Sequence, residues 1–210
     1  VAAPTAPFLK GLPMLATLPS TPSMAEKLAA SAFALFAESG IYGVNLDEVA
    51  AHAGVTKGSV YHHFNSKKEV ILAACDHYYS TWTSRIREEM ALLSDSLDQL
   101  EAVLSFSVRS CVADRKNRVF TAEIFALSLK DSDIRESWAG FYDRARQIYI
   151  DLLTRVPAAA RPPAREIRSR VNLMLAAMEG IKQRASFEPE IAAPRHQRET
   201  VAALMGILGL

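Results

Sequence analysis

Cysteine is scarce in this 210-residue chain. Cys75 and Cys111 are its two cysteines. Neither sits in a CxxC pair or another metal-ligand spacing, so no disulfide framework is expected, and both read as core thiols in a reducing cytoplasm. Long apolar runs are missing as well, and no stretch approaches membrane-spanning length. No segment alternates apolar and polar residues as a half-buried strand would. Excess charge of either sign is absent: 24 Lys and Arg stand against 23 Asp and Glu, a net of +1. The overall balance therefore implies no polyanionic partner. A catalytic vocabulary is lacking too. There is no Ser/His/Asp or Cys/His arrangement, no Glu-x-x-His pair and no glycine loop fit to cradle phosphate, so no enzyme and no cofactor are expected.

Half of the residues are apolar, enough for a sizeable core, and Leu and Ala dominate them. The expected class is all-α, with about nine helices. Residues 1–23 carry Pro4, Pro7, Pro13, Pro19 and Pro22, one lysine and no acid. Prolines interrupt the apolar part and no A-x-A-like site follows, which argues against a signal peptide. The stretch reads as a flexible amino-terminal arm, through which Lys10 could reach DNA, or as residues upstream of a start near Met24.

Helix starts are written plainly in the next fifty residues. Ser23-Met-Ala-Glu26, Asn45-Leu-Asp-Glu48 and Ser66-Lys-Lys-Glu69 each pair a capping residue with a glutamate three places on. In that arrangement side chains satisfy the orphan amides, and the acid suits the positive helix end. The stretch GVTKGSVYHHF, residues 54–64, breaks the pattern. Thr56 can cap, but the third position is Ser59, not an acid. Lys57, Lys67 and Lys68 lie within residues 56–68, which contain no acid. A helix tip left without its own carboxylate suits a phosphate. Two short helices joined by a Gly-containing turn make a helix-turn-helix, whose second helix enters a major groove. His52, His62 and His63 do not read as a metal site, because adjacent helical residues point about 100° apart.

Residues 24–75 resemble the TetR family of bacterial transcriptional regulators. The resemblance rests on AASAFALFAESGIYGVNLDEVAAHAGVTKGSVYHHFNSKKEVILAAC. It shows the family's apolar first helix ending Leu-Phe-x-x-x-Gly, its Gly-Val-Ser/Thr turn and its Tyr-x-x-Phe-x-x-Lys segment. The resemblance implies that Thr56, Lys57, Gly58 and Ser59 meet bases and phosphates, and that Tyr61 binds a phosphate. It further implies that His62 and His63 reach bases or backbone, that Lys67 holds a phosphate and that Asn45 stands in for the usual Thr cap. The family's frequent basic residue just before the first helix is absent here; Lys27, inside that helix, is the nearest.

Beyond residue 76 five more helical segments are expected, near 95–114, 117–129, 131–156, 163–187 and 195–209. The expected organisation is an arm (1–23), a three-helix DNA-binding domain (24–68) and a ligand-binding and dimerisation bundle (69–210). Aromatic and methionine-rich faces suggest an effector cavity between helices. Arg109, Phe120, Glu123, Phe125, Trp138, Tyr142, Asn172, Met174 and Met178 are its candidate lining. The last two segments are apolar on more than one side and must be covered by something. A homodimer through 163–187 and 195–209 is expected, with a double-stranded DNA operator and a small-molecule effector as partners and no membrane. Two readings stay open: an operator-binding repressor released by a hydrophobic effector, or the same fold as a constitutive regulator or division-control factor.

Overall fold

The computed structural model describes residues 21–210. The expected arm lies almost wholly outside them, as does Lys10. Nine α-helices make up the described residues, without a strand: α1 (Met24–Ser39), α2 (Leu46–His52), α3 (Lys57–His63), α4 (Lys67–Ala91), α5 (Ser96–Ser107), α6 (Arg115–Ser128), α7 (Ser132–Arg155), α8 (Ala164–Arg184) and α9 (Pro194–Leu208). α5 continues as a π-helical turn over Val108–Ala113, and short 3-10 turns precede α8 and α9.

Local chemistry sets the boundaries. The boxes at α1 and α2 close reciprocally, with Ser23 and Glu26, then Asn45 and Glu48, exchanging hydrogen bonds. At α4 the Ser66 hydroxyl accepts from Glu69 N–H, but Glu69 reaches back to the backbone N–H of Asn65 at 2.8 Å instead of to Ser66. Asp95, Asp114 and Asp131 cap α5, α6 and α7. Gly40 ends α1 at φ +79°, and Gly54 makes the α2–α3 turn at φ +71°. Both angles lie in the left-handed region that disfavours residues with a Cβ.

A single core runs from α1 through α4 to the later helices. Leu28, Ala32 and Phe36 of α1 are fully buried, as are Val70 and Ala74 of α4. Phe33 meets Phe120 of α6 edge to face at 5.0 Å between centroids. Further along α4, Tyr79 stacks on Phe141 of α7 at 4.6 Å, and Trp82 meets the same ring edge-on at 5.3 Å. The 25-residue α4 thus carries the short helices at one end and an aromatic core at the other.

Polar struts tie the ends together. The Glu123 carboxylate on α6 accepts the backbone N–H of Ile41, in the α1–α2 turn. Lys68 on α4 pairs with Asp133 at 2.5 Å and Asp131 at 3.2 Å, at the start of α7.

Candidate nucleic-acid interface and effector cavity

Helix α3 holds itself in place with few residues. Val60 is fully buried, Val55 and Phe64 are half-buried, and the rest of the helix faces outward. Thr56, Lys57, Gly58, His62 and His63 are exposed, Ser59 is half-buried and Tyr61 is 49 % exposed. Thr56 occupies the cap position, yet its side chain makes no capping bond, and the first turn contains no acid. Both facts leave the tip open. A Cβ built on Gly58 would meet only the Thr56 hydroxyl, at 3.8 Å.

The acid missing from α3 is supplied in part from α2. Asp47 pairs with the Lys57 ammonium at 2.8 Å, which raises the Lys57 pKa through that bond. The sequence reading of three lysines free of acid therefore changes once the chain folds. Lys57 has Asp47, Lys68 has Asp131 and Asp133, and Lys67 donates to the Val44 carbonyl at 2.6 Å. The Lys57–Asp47 pair is more than half exposed on both sides, so solvent and salt screen it, and it yields readily to a competing anion.

Tyr42, Asn45, Asp47, Lys57, Tyr61 and Lys67 together line a shallow concavity of about 640 Å³ between the α2 cap, α3 and the start of α4. Asn45 has its side-chain oxygen committed to the Asp47 and Glu48 amides at 2.9 and 3.0 Å. Tyr42 was not among the sequence candidates. It is 78 % exposed, while its neighbour Ile41 is 1 % exposed. Its signal was an aromatic residue stranded in the Gly40–Gly43 turn, where only one of two large neighbours can turn inward. His62 and His63 meet edge to face at 5.2 Å.

The profile of the family "Bacterial regulatory proteins, tetR family" matches residues 28–74. That segment is α1 through the first turns of α4. Over that segment the chain is similar to the TetR family. The Transposon Tn10 TetC protein of Escherichia coli is 31% identical over 110 residues, covering 49% of this chain and 51% of that protein. The HTH-type transcriptional repressor KstR2 of Rhodococcus jostii is 29% identical over 116 residues, covering 50% and 57%. The chain thus spans about half the length of these relatives. A transcriptional regulator from Rhodococcus shares the fold at a TM-score of 0.72 and 24% identity, over 89% of this chain and 96% of that one.

Among the cavities of the larger part, two share Tyr78 and Trp82 as a common wall. The outer, of about 350 Å³, lies among α1, α4, α5 and α6 and includes Phe33, Phe106, Arg109 and Asn117. The inner, of about 30 Å³, is walled by Trp138, Phe141, Tyr142, Tyr149, Met178 and Lys182. Of the sequence candidates, Trp138, Tyr142 and Met178 meet at the inner chamber, and Arg109 stands at the outer one, paired with Glu89 at 2.8 Å. The others lie elsewhere. Phe120 and Met174 are wholly buried in the core, and Phe125 is 46 % exposed. Glu123 is committed to Ile41, and Asn172 accepts from Arg146 on the surface at 2.7 Å. All five are polar, aromatic or methionine residues on apolar segments, a pattern that cannot tell a cavity wall from a core or an inter-helix strut. Lys182, which sequence reasoning passed over, is 4 % exposed.

Both thiols are free. Burial pushes Cys75 up to about 12 and raises Cys111 as well. Among the described residues no helix is long and apolar enough to cross a membrane, and no group of three or more His, Cys, Asp or Glu could hold a metal ion.

Proposed function

We propose that the chain is a cytoplasmic, homodimeric transcriptional repressor that grips a palindromic double-stranded operator through α3 and releases it when a small hydrophobic effector enters the cavity beside α4. The observation that carries this reading is the outward face of α3. Lys57, Tyr61, His62 and His63 are exposed around an acid-free first turn, on a concavity that also holds Tyr42 and Lys67. Residues 24–68 form the DNA reader, and 69–210 bind the effector and the second subunit.

Dimerisation is supported by what α8 and α9 leave uncovered. Val201, Leu204 and Leu208 face inward, while Ala202, Ala203 and Gly206 are exposed. On α8, Leu173 is 60 % exposed, with Ala176 and Gly180 also exposed. A methyl group added at Gly180 or Gly206 would meet nothing within 4 Å. Such small-residue faces let a second pair of helices approach closely. Two recognition helices then meet successive major grooves about 34 Å apart. The outer cavity favours an effector-released regulator over a constitutive one, since an effector acts only by binding one arrangement better than the other.

Selection of duplex DNA from a random pool tests the reading, with light scattering on the same sample. The expected result is a dimer that enriches an inverted repeat. A monomer that enriches no sequence contradicts it.

A further inference from the structure

The inner chamber contains an ion pair among aromatic rings. Lys182 and Glu179, both on α8, are 2.8 Å apart, and the Tyr142 hydroxyl on α7 donates to the same Glu179 oxygen. The Lys182 ammonium also lies 5.5 Å from the centre of the Trp138 ring. A lysine 4 % exposed, held away from water, is costly unless it is paired. The pairing here is lopsided. Glu179 Oε1 receives two donors, whereas Lys182, which can donate three hydrogen bonds, has one acceptor among the described residues. Trp82 adds another spare donor: it is 4 % exposed, and its indole Nε1 has no acceptor among the described residues. Against these N–H groups the pair leaves free only the second Glu179 oxygen.

The volumes divide the work. About 30 Å³ admits a water or a small headgroup, whereas about 350 Å³ next door admits the body of a small molecule. Trp82 and Tyr78 line both. The π-helical turn presents consecutive residues to the two spaces, Arg109 and Ser110 to the outer and Cys111 to the inner. Turns of this type cluster at functional sites.

We infer that the effector is an aromatic or aliphatic carboxylic acid, its carboxylate received in the inner chamber by Lys182 and the Trp82 indole N–H, its apolar body filling the outer cavity between Phe33 and Phe106. This rests on the effector reading above and names the chemistry of that site. The acid completes the Lys182 donor set and gives the indole its acceptor. A quaternary ammonium of the same size would be repelled by Lys182 and give the indole no acceptor, and a neutral amide would satisfy the indole but offer Lys182 a weaker acceptor than a carboxylate.

Calorimetric titration of the full chain with 4-phenylbutanoate, its primary amide and trimethyl(3-phenylpropyl)ammonium tests this. Fluorescence of the two tryptophans gives a second readout, since both line the chamber. The acid is expected to bind at least tenfold more tightly than either analogue. Glu179→Gln, which keeps an acceptor for Tyr142 and frees the Lys182 charge, should tighten the acid several-fold. Trp82→Phe should weaken acid and amide alike, and Lys182→Gln should erase the preference for the acid. If Lys182→Gln does not fold, the opposite shifts expected of Glu179→Gln and Trp82→Phe still decide. Equal binding of all three probes, no binding by any, a preference for the ammonium, or weakening of the acid by Glu179→Gln overturns the inference. Acid that binds as described yet leaves the selected operator complex intact upholds the site and sinks the effector role. Operator binding by a chain that takes up no acid upholds the operator-binding reading and sinks the site.

Discussion

The Lys67 ammonium reaches from the first turn of α4 to the Val44 carbonyl, 2.6 Å away and 23 positions earlier in the chain. Lys67 is therefore a strut, and its proposed role as a phosphate ligand comes on top of that. It pins the turn ahead of the α2 cap, and it stands on the wall of the concavity with Lys57 and Tyr61. One bond leaves the ammonium two further donors.

Lys67→Met keeps the apolar stem and removes both roles. It should lower stability by about 1.5–3 kcal/mol, the range for a hydrogen bond to a charged group. It should also weaken operator binding and flatten the plot of log affinity against log salt by about one unit. Urea denaturation and fluorescence anisotropy over a salt series read the two effects separately. Loss of stability with an unchanged salt slope would leave Lys67 as a strut alone.

In the proposed operator complex Asp47 competes with phosphate for Lys57. Asp47→Asn should raise operator affinity several-fold at low salt, because Lys57 then faces the groove without a carboxylate at 2.8 Å. The gain should shrink as salt screens the exposed charges. Anisotropy at two ionic strengths checks this, and a loss of affinity would place Lys57 away from the DNA.

Gly40 and Glu123 fit each other at the α1–α2 turn. A Cβ at Gly40 would lie 2.5 Å from Glu123 Oε1, and the backbone there is at φ +79°. Gly40→Ala should cost about 1–3 kcal/mol from backbone strain alone. Glu123→Ala removes the acceptor of the Ile41 N–H, beside a side chain 1 % exposed, and should cost about 1–3 kcal/mol. In the double variant the two costs should fall short of additive, because the close contact is gone. Thermal denaturation of the four proteins measures the coupling.

His77 on α4 gives stability a pH dependence. Burial lowers its pKa below the usual imidazole value, so the unfolded chain takes the proton more readily than the folded one. Stability is full above the ordinary imidazole range and falls as pH drops through it toward the folded value. Arg85, Glu89, Arg109 and Asp114 share its cavity. Urea midpoints at pH 7.5 and 5.5 should differ more in the parent chain than in His77→Gln; equal differences would contradict it.

Much of the fold could be read from the chain because its signals are local. Capping boxes at Ser23 and Asn45 close within three residues, and Pro157, Pro162 and Pro163 mark the gap before α8. The exposed face of α3 follows from Val60 and Phe64 being its inward residues. What escaped depends on residues far apart in sequence. Asp47 on Lys57, Asp131 and Asp133 on Lys68, and Glu123 on Ile41 are partnerships that no spacing rule encodes. Nothing in the sequence separates Lys182 from a surface lysine in the last turn of α8, and only the packing of neighbouring helices against it makes it a buried cation. The π-helical turn after α5 has no local sequence mark that separates it from continued α-helix.

The face of α3 carries the account, and Tyr61 is its most direct probe. Affinity for the selected operator should be measured for the parent chain and for Tyr61→Ala, with circular dichroism to confirm that Val60 and Phe64 still seat the helix. A loss of about tenfold or more, with the fold unchanged, is the predicted result. Equal affinity of the two proteins for the operator, at matched salt, would contradict it.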